Sequence, residues 1–209
     1  MEYRWLGTQD YQKVYDQQRL SLTWPKEREE VWGLEHPDVI SLGRRSTAQE
    51  DFSSVLEFPC VATDRGGLTT LHSPGQLIIY PLISLERRQW RPKEYVCYLL
   101  KITQSCLNEI GLKTQIDSDS SGLFVQQKKI CFIGLRVSGG RVYHGLSINI
   151  SNNLSLFDKI SACGWRGRPL TSLAEEGHNS LNPEDVFKLW HQISKGPFLF
   201  ENITSLNNP

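Results

Sequence analysis

Residues 122–164, GLFVQQKKICFIGLRVSGGRVYHGLSINISNNLSLFDKISACG, form the segment that decides how this chain folds. Two apolar stretches, 130–137 and 142–150, lie on either side of Ser138-Gly139-Gly140. A pair of glycines supplies the positive φ angles that a tight hairpin needs. The segment therefore predicts two β-strands joined as a hairpin.

Two residues near the ends of this segment are candidates for chemistry. Lys129 directly precedes an apolar run, so we expect its amine to lie near a desolvated surface. Cys163 precedes Gly164, and a glycine beside a thiol lets backbone N–H groups approach whatever is bonded to the sulfur. Taken alone, such residues more often have ordinary roles, the cysteine packed in the interior and the lysine solvated.

The composition is that of a globular protein, with 39% apolar and 22% charged residues, and we expect one domain over residues 1–209. Lys+Arg and Asp+Glu both number 23, which gives no global electrostatic reason to expect nucleic acid or an anionic membrane. The five cysteines lack CxxC spacing, so neither a disulfide framework nor a zinc site is indicated, and a reducing compartment fits best. We expect no metal and, because no window approaches the roughly 20 apolar residues of a membrane span, a soluble cytoplasmic protein.

Outside the hairpin the sequence predicts further elements. We expect a helix over 9–20 capped by Thr8, a hairpin of strands 31–34 and 39–42 around His36-Pro37-Asp38, and a strand at 59–63. A helix over 92–110 follows from apolar residues spaced three and four apart, with Gly111 after it. A polar loop is expected at 114–121, a short helix at 170–176, and a helix over 182–194 with Asn182 as its N-cap.

Two loops carry groups that suit a ligand. Arg65-Gly66-Gly67 lets backbone pass close to a bound molecule, and Thr70, His72 and Ser73 add hydrogen-bonding groups nearby. The alternative is a structural turn with a satisfied histidine. Gly43-Arg44-Arg45 suits phosphate contacts, although short basic doublets are more often simply solvated.

Taken together, three separated motifs resemble the lipoyl(octanoyl) transferase (LipB) family. They are RGGLTTLHSPGQ at 65–76, KKICFIGLRV at 128–137 with HGLSINI at 144–150, and ACG at 162–164. The resemblance implies a mixed α/β fold like that of biotin and lipoate ligases, with a larger and a smaller sheet flanked by helices. It also implies an acyltransferase that moves an octanoyl group from acyl carrier protein, through a cysteine thioester, to a lysine of a lipoyl domain.

The same resemblance assigns roles to residues. Cys163 matches the acyl-thioester nucleophile, and Lys129 matches the lysine that favours the thiolate and moves the proton. The residues that match the acyl pocket are Arg65, Gly66, Gly67, Leu68, Thr69, Thr70, Leu71, His72, Phe132, Ile133, Gly134, Gly145, Leu146 and Ser147. We further hypothesise that N–H groups near Gly134 and Gly145 hold the thioester oxyanion.

The chain departs from the family pattern at Leu68, Leu71, Ser73 and Ala162. None of these departures removes a catalytic atom, but they leave the preferred acyl-chain length open. If Leu71 borders the acyl tunnel, an aromatic residue there should shift that preference.

Two alternatives remain at this stage: an ATP-dependent lipoate or biotin ligase, and a non-catalytic module that binds acyl groups or lipoyl domains. By the resemblance, the partners are octanoyl-acyl carrier protein as donor, and as acceptors the lipoyl domains of 2-oxoacid dehydrogenases and the glycine cleavage H protein. No cofactor is implied. Because such partners are acidic, we expect a basic rim formed by Arg136, Arg141, Arg166 and Arg168.

Overall fold

The chain forms a larger and a smaller β-sheet in the computed structural model. The structure describes residues 1–46, 58–117, 122–159 and 169–196. The strands are β1 (Glu2–Thr8), β2 (Glu30–Glu35), β3 (Val39–Leu42), β4 (Cys60–Ala62), β5 (Thr70–His72), β6 (Gln76–Leu82), β7 (Gln115–Asp117), β8 (Gly122–Val125), β9 (Lys128–Ser138) and β10 (Arg141–Asn149). The helices are α1 (Tyr11–Leu20), α2 (Leu85–Arg88), α3 (Pro92–Glu109) and α4 (Pro183–Ser194), with 3₁₀ turns at Ser21–Thr23 and Leu154–Lys159.

Both sheets mix parallel and antiparallel pairs. The larger sheet has the order β1-β2-β6-β10-β9-β8-β7, in which β1 and β2 are parallel and the other neighbours antiparallel. The smaller sheet has the order β4-β3-β5, with β4 parallel and β5 antiparallel to β3. The mixed fold with two sheets flanked by helices, expected from the resemblance, is therefore confirmed.

The β9–β10 hairpin lies within the larger sheet as predicted. Its register runs from Arg141 opposite Ser138 to Ile148 opposite Cys131. The connecting Gly139 and Gly140 have φ values of 54° and 75°, a region that glycine enters without strain.

Helices α3 and α4 cover one face of the larger sheet. Their buried residues join the apolar residues of β6, β9 and β10 in one core cluster, within which Trp190 Nε1 donates a hydrogen bond to Thr103 Oγ1 at 3.0 Å. The predicted helices 92–110 and 182–194 are both confirmed. Asn182 accepts a hydrogen bond from the Asp185 amide at 3.0 Å, as an N-cap residue should.

The first helix begins later than predicted, and Thr8 is not its cap. Thr8 ends β1, a strand that the sequence analysis did not anticipate. Asp10 is the N-cap instead, because its Oδ1 accepts a hydrogen bond from the Lys13 amide at 2.9 Å.

The predicted hairpin of 31–34 and 39–42 is wrong, although both strands exist. β2 pairs with β1 and β6 in the larger sheet, while β3 is the central strand of the smaller one. The connection carries His36 into the interior, where Nδ1 lies 2.7 Å from Gln9 O and Nε2 lies 3.0 Å from Tyr80 Oη. With these buried contacts, the connection between β2 and β3 crosses from the larger sheet to the smaller one instead of forming a hairpin turn.

Two further expectations need correction. Residues 115–117 of the predicted loop 114–121 form the edge strand β7, while 118–121 lie outside the described residues. Residues 170–176 are not helical, because Leu170 forms a bridge with Lys129 and the residues after Ser172 form turns. None of the helices in the described ranges is long and apolar enough to cross a bilayer.

Candidate active site

A cavity of about 930 Å³ lies where the loop after β4 meets β9 and β10. Most of the residues assigned to the acyl pocket by resemblance border it, namely Arg65, Gly66, Gly67, Leu68, Thr70, His72, Phe132, Ile133, Gly134, Gly145, Leu146 and Ser147. Lys129 borders it as well. Residues far apart in the chain are thus brought to one site.

Thr69 and Leu71 are not among the residues that border the cavity. Thr69 is fully buried, and its hydroxyl donates to Ser46 Oγ at 3.1 Å. Leu71 is also fully buried, in a small cluster with Ile40, Phe132 and Phe157. Because β5 alternates its side chains, Thr70 and His72 face the cavity while Leu71 faces away from it.

The cavity has two parts, which lie on opposite faces of β9. Ile133, Leu135 and Val137 pack with the α3 and α4 core on one face, whereas Gly134 and Arg136 approach Arg65, Gly66 and Asp64 on the other. We call the part on the first face the apolar part; Tyr95, Val96, Val142 and Leu146 also line it. We call the part on the second face the polar part; Tyr11, His72, Tyr80, His144 and Ser147 also line it.

The two parts communicate around the outer edge of β9. The register of β8 with β9 covers Lys128 to Phe132 and goes no further, so the edge beyond Phe132 has no strand neighbour among the described residues. The loop approaches this edge instead, where the Gly66 amide donates to Leu135 O at 3.1 Å. A Cβ on Gly134 would lie 3.0 Å from Gly66 O, so this close approach favours a glycine there.

The hypothesis that N–H groups near Gly134 and Gly145 hold the oxyanion stays a prediction, but the strand pairing decides which of these groups point away from the sheet. Because Leu135 O points to the outer edge, alternation turns the Gly134 amide inward, where Gly145 faces it across the hairpin. Those two N–H groups are then used within the sheet. The N–H of Leu135, the residue after Gly134, points to the outer edge together with the Leu135 carbonyl.

Lys129 is buried, with 3% of its surface exposed. Its Nζ lies 4.7 Å from the centre of the Phe132 ring and 5.6 Å from that of Phe124. Gly122 on β8 leaves room for this side chain, since a Cβ there would lie 2.5 Å from Lys129 Cε and 3.1 Å from Nζ. An aromatic-walled pocket therefore fixes the amine at the cavity.

The backbone of Lys129 is held by the segment that follows Cys163. The Lys129 amide donates to Pro169 O at 3.0 Å, and the Thr171 amide donates to Lys129 O at 3.0 Å. Glu176 reinforces this contact by accepting from Lys128 Nζ at 2.5 Å and from Thr171 Oγ1 at 2.6 Å.

The segment that precedes Cys163 is anchored close by. Phe157 stacks on Phe132 with ring centres 5.9 Å apart and planes at 8°. Cys163 itself, with Ala162, Gly164, Arg166 and Arg168, lies outside the described residues. The described residues before and after this stretch, Phe157 and Pro169, therefore contact Phe132 and Lys129 on the same side of the cavity.

Of the arginines predicted to form an exposed basic rim, Arg141 and Arg136 lie in different environments. Arg141 is buried and donates to the carbonyls of Arg28, Leu82 and Pro25, so its assignment to an exposed rim is wrong. Arg136 is half-buried at the cavity, which Arg45 also borders.

Arg65 is buried too, and its guanidinium hydrogen-bonds to β3 and to the loop that contains Gly66. It donates to Ser41 Oγ at 3.1 Å, to Ser41 O at 2.6 Å and to Gly66 O at 3.1 Å. The Arg45 amide donates to Gly67 O at 3.1 Å, which joins the loop containing Gly43 to the Arg65 loop. The basic residues near these glycines therefore serve loop structure as well as the cavity.

The cavity histidines are kept neutral by burial. Burial lowers the pKa of His72 to about 3, and its Nδ1 lies 2.8 Å from Gln76 Oε1. Burial likewise lowers the pKa of His144. These imidazoles therefore act at neutral pH as hydrogen-bonding groups rather than as cations.

A hydrogen-bond network around Asp64 was missed by the sequence analysis. Asp64 accepts from Tyr15 Oη at 3.0 Å and from Tyr143 Oη, and its Oδ1 lies 3.0 Å from His144 Nε2. The hydrogen bond from His144 contributes most to holding the pKa of Asp64 below its usual range. The only sequence signal was a histidine placed between the apolar strand residues and Gly145.

Comparison with known proteins gives consistent matches. The model of the lipoyl protein ligase A/B catalytic domain matches residues 12–192. An octanoyltransferase of Francisella tularensis subsp. tularensis (strain FSC 198) is 34% identical over 209 residues, covering 97% of this chain and 95% of the relative. An octanoyltransferase of Aliivibrio fischeri (strain ATCC 700601 / ES114) is 33% identical over 206 residues, covering 96% and 89%.

Solved structures share the fold at low identity. A putative lipoate protein ligase from T. acidophilum superposes with a TM-score of 0.76 at 12% identity, covering 93% of this chain and 84% of that one. A biotin protein ligase from Aquifex aeolicus gives a TM-score of 0.57 at 12% identity, covering 99% and 70%.

Proposed function

Because the chain belongs to the lipoyl protein ligase A/B catalytic domain family, we propose that it is an octanoyltransferase. It takes an octanoyl group from the phosphopantetheine thioester of acyl carrier protein, holds it as a thioester on Cys163, and passes it to a lysine of a lipoyl domain. The relatives of similar length and 33–34% identity that are named octanoyltransferase support this reaction over others in the family.

The observation that carries the proposal is the surroundings of Lys129. A buried lysine borders a cavity large enough for an acyl chain, between two aromatic rings. Cys163 is six residues beyond Phe157 and seven before Leu170, both of which pack at this site. A chain of seven residues reaches at most about 25 Å, which is compatible with a thiol that acts at this cavity.

The chemistry follows from a thiol and an amine acting on one carbonyl. The Lys129 ammonium favours the Cys163 thiolate, which attacks the octanoyl carbonyl and forms a tetrahedral intermediate. Collapse of that intermediate breaks the bond to the pantetheine sulfur, and this leaving thiolate takes the proton from Lys129. The acceptor lysine then attacks the acyl-enzyme as the neutral amine, and neutral Lys129 takes the proton that the attacking nitrogen loses. Collapse of this second intermediate forms the amide and releases the Cys163 thiolate beside the Lys129 ammonium.

The apolar part of the cavity suits the acyl chain. Its walls include the apolar side chains of Val96, Val137, Val142 and Leu146, while the charged residues Lys93 and Asp117 also border the cavity. Each methylene that leaves water for such a surface contributes about 0.8 kcal/mol.

A transfer assay without ATP tests the proposal. Octanoyl-acyl carrier protein and an apo lipoyl domain are mixed with the enzyme, and octanoylation of the acceptor lysine is followed by mass spectrometry. Transfer without nucleotide supports the transferase. A strict requirement for ATP with free octanoate would identify a ligase instead, and no transfer under either condition would leave only binding.

A further inference from the structure

A chain of hydrogen bonds connects His72, which borders the cavity, to the backbone of Lys129. His72 Nδ1 lies 2.8 Å from Gln76 Oε1, and Gln76 Nε2 lies 2.9 Å from Asn149 Oδ1. Asn149 Nδ2 lies 3.0 Å from Thr171 O, and the Thr171 amide donates to Lys129 O at 3.0 Å. All five residues are buried. We call the side chains of Gln76 and Asn149 the amide relay.

The direction of each bond in the amide relay follows from one backbone oxygen. Thr171 O can only accept, so the amide nitrogen of Asn149 must face it and Asn149 Oδ1 must face Gln76. Asn152 Nδ2 donates to that same oxygen of Asn149 at 3.3 Å. Gln76 therefore donates from Nε2 to Asn149, and its Oε1 accepts from His72. Because burial keeps the His72 ring neutral, its one proton is on Nδ1, and Nε2 carries a lone pair.

The amide relay lies next to the cavity without lining it. His72 and Lys129 border the cavity, whereas Gln76 and Asn149 are not among the described residues that do. Alternation along β10 places Asn149 on the same face as Ser147, which also borders the cavity. Buried amides stabilise a protein only when their hydrogen bonds are made, so a change at one end of the relay alters the orientation of the rest. Gln76 and Asn149 therefore act through other residues.

We propose that Gln76 and Asn149 are positioning residues that fix the tautomer of His72 and connect this cavity residue to the segment that holds Lys129. His72 then offers the cavity a hydrogen-bond acceptor at Nε2 and not a donor. Because Thr171 bonds both to Asn149 and to Lys129, the same relay stabilises the backbone of the catalytic lysine. The expected effect on rate rests on the proposed octanoyltransferase function, whereas the tautomer of His72 is measured independently of it.

Nitrogen–proton correlation NMR of the histidine rings in the whole protein tests the tautomer, and wild-type His72 should carry its proton on Nδ1. Asn149→Leu does not touch His72, yet it frees Gln76 to turn its amide, so His72 should lose the fixed Nδ1–H tautomer. Asn149→Asp offers Gln76 an acceptor whether or not the carboxyl is ionised, so the wild-type tautomer should remain. His36 is an internal control that should not change, since its Nδ1 lies 2.7 Å from Gln9 O.

The same variants are assayed for octanoyl transfer from octanoyl-acyl carrier protein to an apo lipoyl domain. Asn149→Leu and Gln76→Met should each lower kcat about tenfold or more, whereas Asn149→Asp should recover part of the loss. Gln104→Met is the matched control, because Gln104 on α3 also donates to a backbone carbonyl, Thr114 O at 2.7 Å, and does not border the cavity. It should leave both kcat and the His72 tautomer unchanged.

A wild-type His72 that carries its proton on Nε2 would overturn the proposal. An Asn149→Leu protein with the wild-type tautomer would overturn it too, as would one with a changed tautomer and an unchanged kcat. If Asn149→Leu fails to fold, Gln76→Met provides the same test, because it removes the acceptor of His72 Nδ1 itself. Absence of wild-type transfer would instead reject the proposed function, and the His72 spectra would still decide the tautomer.

Discussion

Replacing Gly122 by alanine tests whether the position of Lys129 controls the reaction. The new methyl group would lie 2.5 Å from Lys129 Cε and 2.3 Å from Cys131 O, so either the side chain or the strand must move. Overpacking of this kind costs about 1–3 kcal/mol in stability. Misplacement of a catalytic group by about 1 Å lowers rates by up to about a hundredfold, so kcat for octanoyl transfer should fall tenfold or more.

The assay measures kcat against pH together with the free energy of unfolding. Gly196→Ala serves as the control, since among the described residues a Cβ there would meet only Ile193 O, at 3.2 Å, after the end of α4. We predict a lower kcat and a shifted pH profile for Gly122→Ala but not for Gly196→Ala. A variant that loses stability but keeps both the wild-type kcat and the wild-type pH profile would refute a catalytic role for this lysine position.

Three other predictions follow from the contacts around the cavity. Glu176→Gln should destabilise the protein by at most about 1 kcal/mol near pH 7. Lys128 lowers the pKa of Glu176, so this contribution exists above the unfolded-state pKa and disappears as acid protonates the folded carboxylate; denaturant unfolding at pH 7 and in acid measures it. Leu71→Phe should cost about 1–3 kcal/mol in stability and leave the C6 to C12 donor preference unchanged, because Leu71 is buried away from the cavity. Finally, kcat/KM with acyl carrier protein should fall as salt rises to physiological strength, since Arg45 and Arg136 border the cavity; a rate insensitive to salt would remove electrostatic steering.

The sequence predicted best where local rules and tertiary structure agree. The β9–β10 hairpin was readable because an apolar run on each side of a glycine pair leaves few other pairings. Helix α4 was readable because Asn182 and Pro183 mark its start and its apolar residues share one face.

The errors occurred where the partner of a strand decides its place. β2 and β3 were found as strands, but short apolar runs do not specify which sheet each one joins. β1 was not predicted because charged and aromatic side chains are mixed along it. At the edge of the sheet its residues are only half-buried or exposed, so no apolar alternation marks the strand. The predicted helix at 170–176 is absent because the amides of Thr171, Leu173 and Ala174 donate to the carbonyls of Lys129, Asn149 and Ile150 instead.

The site was predicted in outline by its motifs, and its finer features depend on three-dimensional contacts. The resemblance selected most of the cavity wall, including Lys129 and Phe132. Arg136 was expected in a basic rim and His144 lies within a matched motif, but their network with Asp64 was not indicated. That arrangement depends on a positive φ and on Tyr15 from a distant helix. No local pattern specifies those contacts.

The most direct test of the account is the intact mass of the protein after incubation with octanoyl-acyl carrier protein alone, for the wild type and for Cys163→Ala. We predict a gain of one octanoyl group in the wild type, none in the variant, and its quantitative loss when an apo lipoyl domain is added without ATP. An acylated Cys163→Ala protein, or a wild-type adduct that never moves to the lipoyl domain, would contradict the two-step transfer.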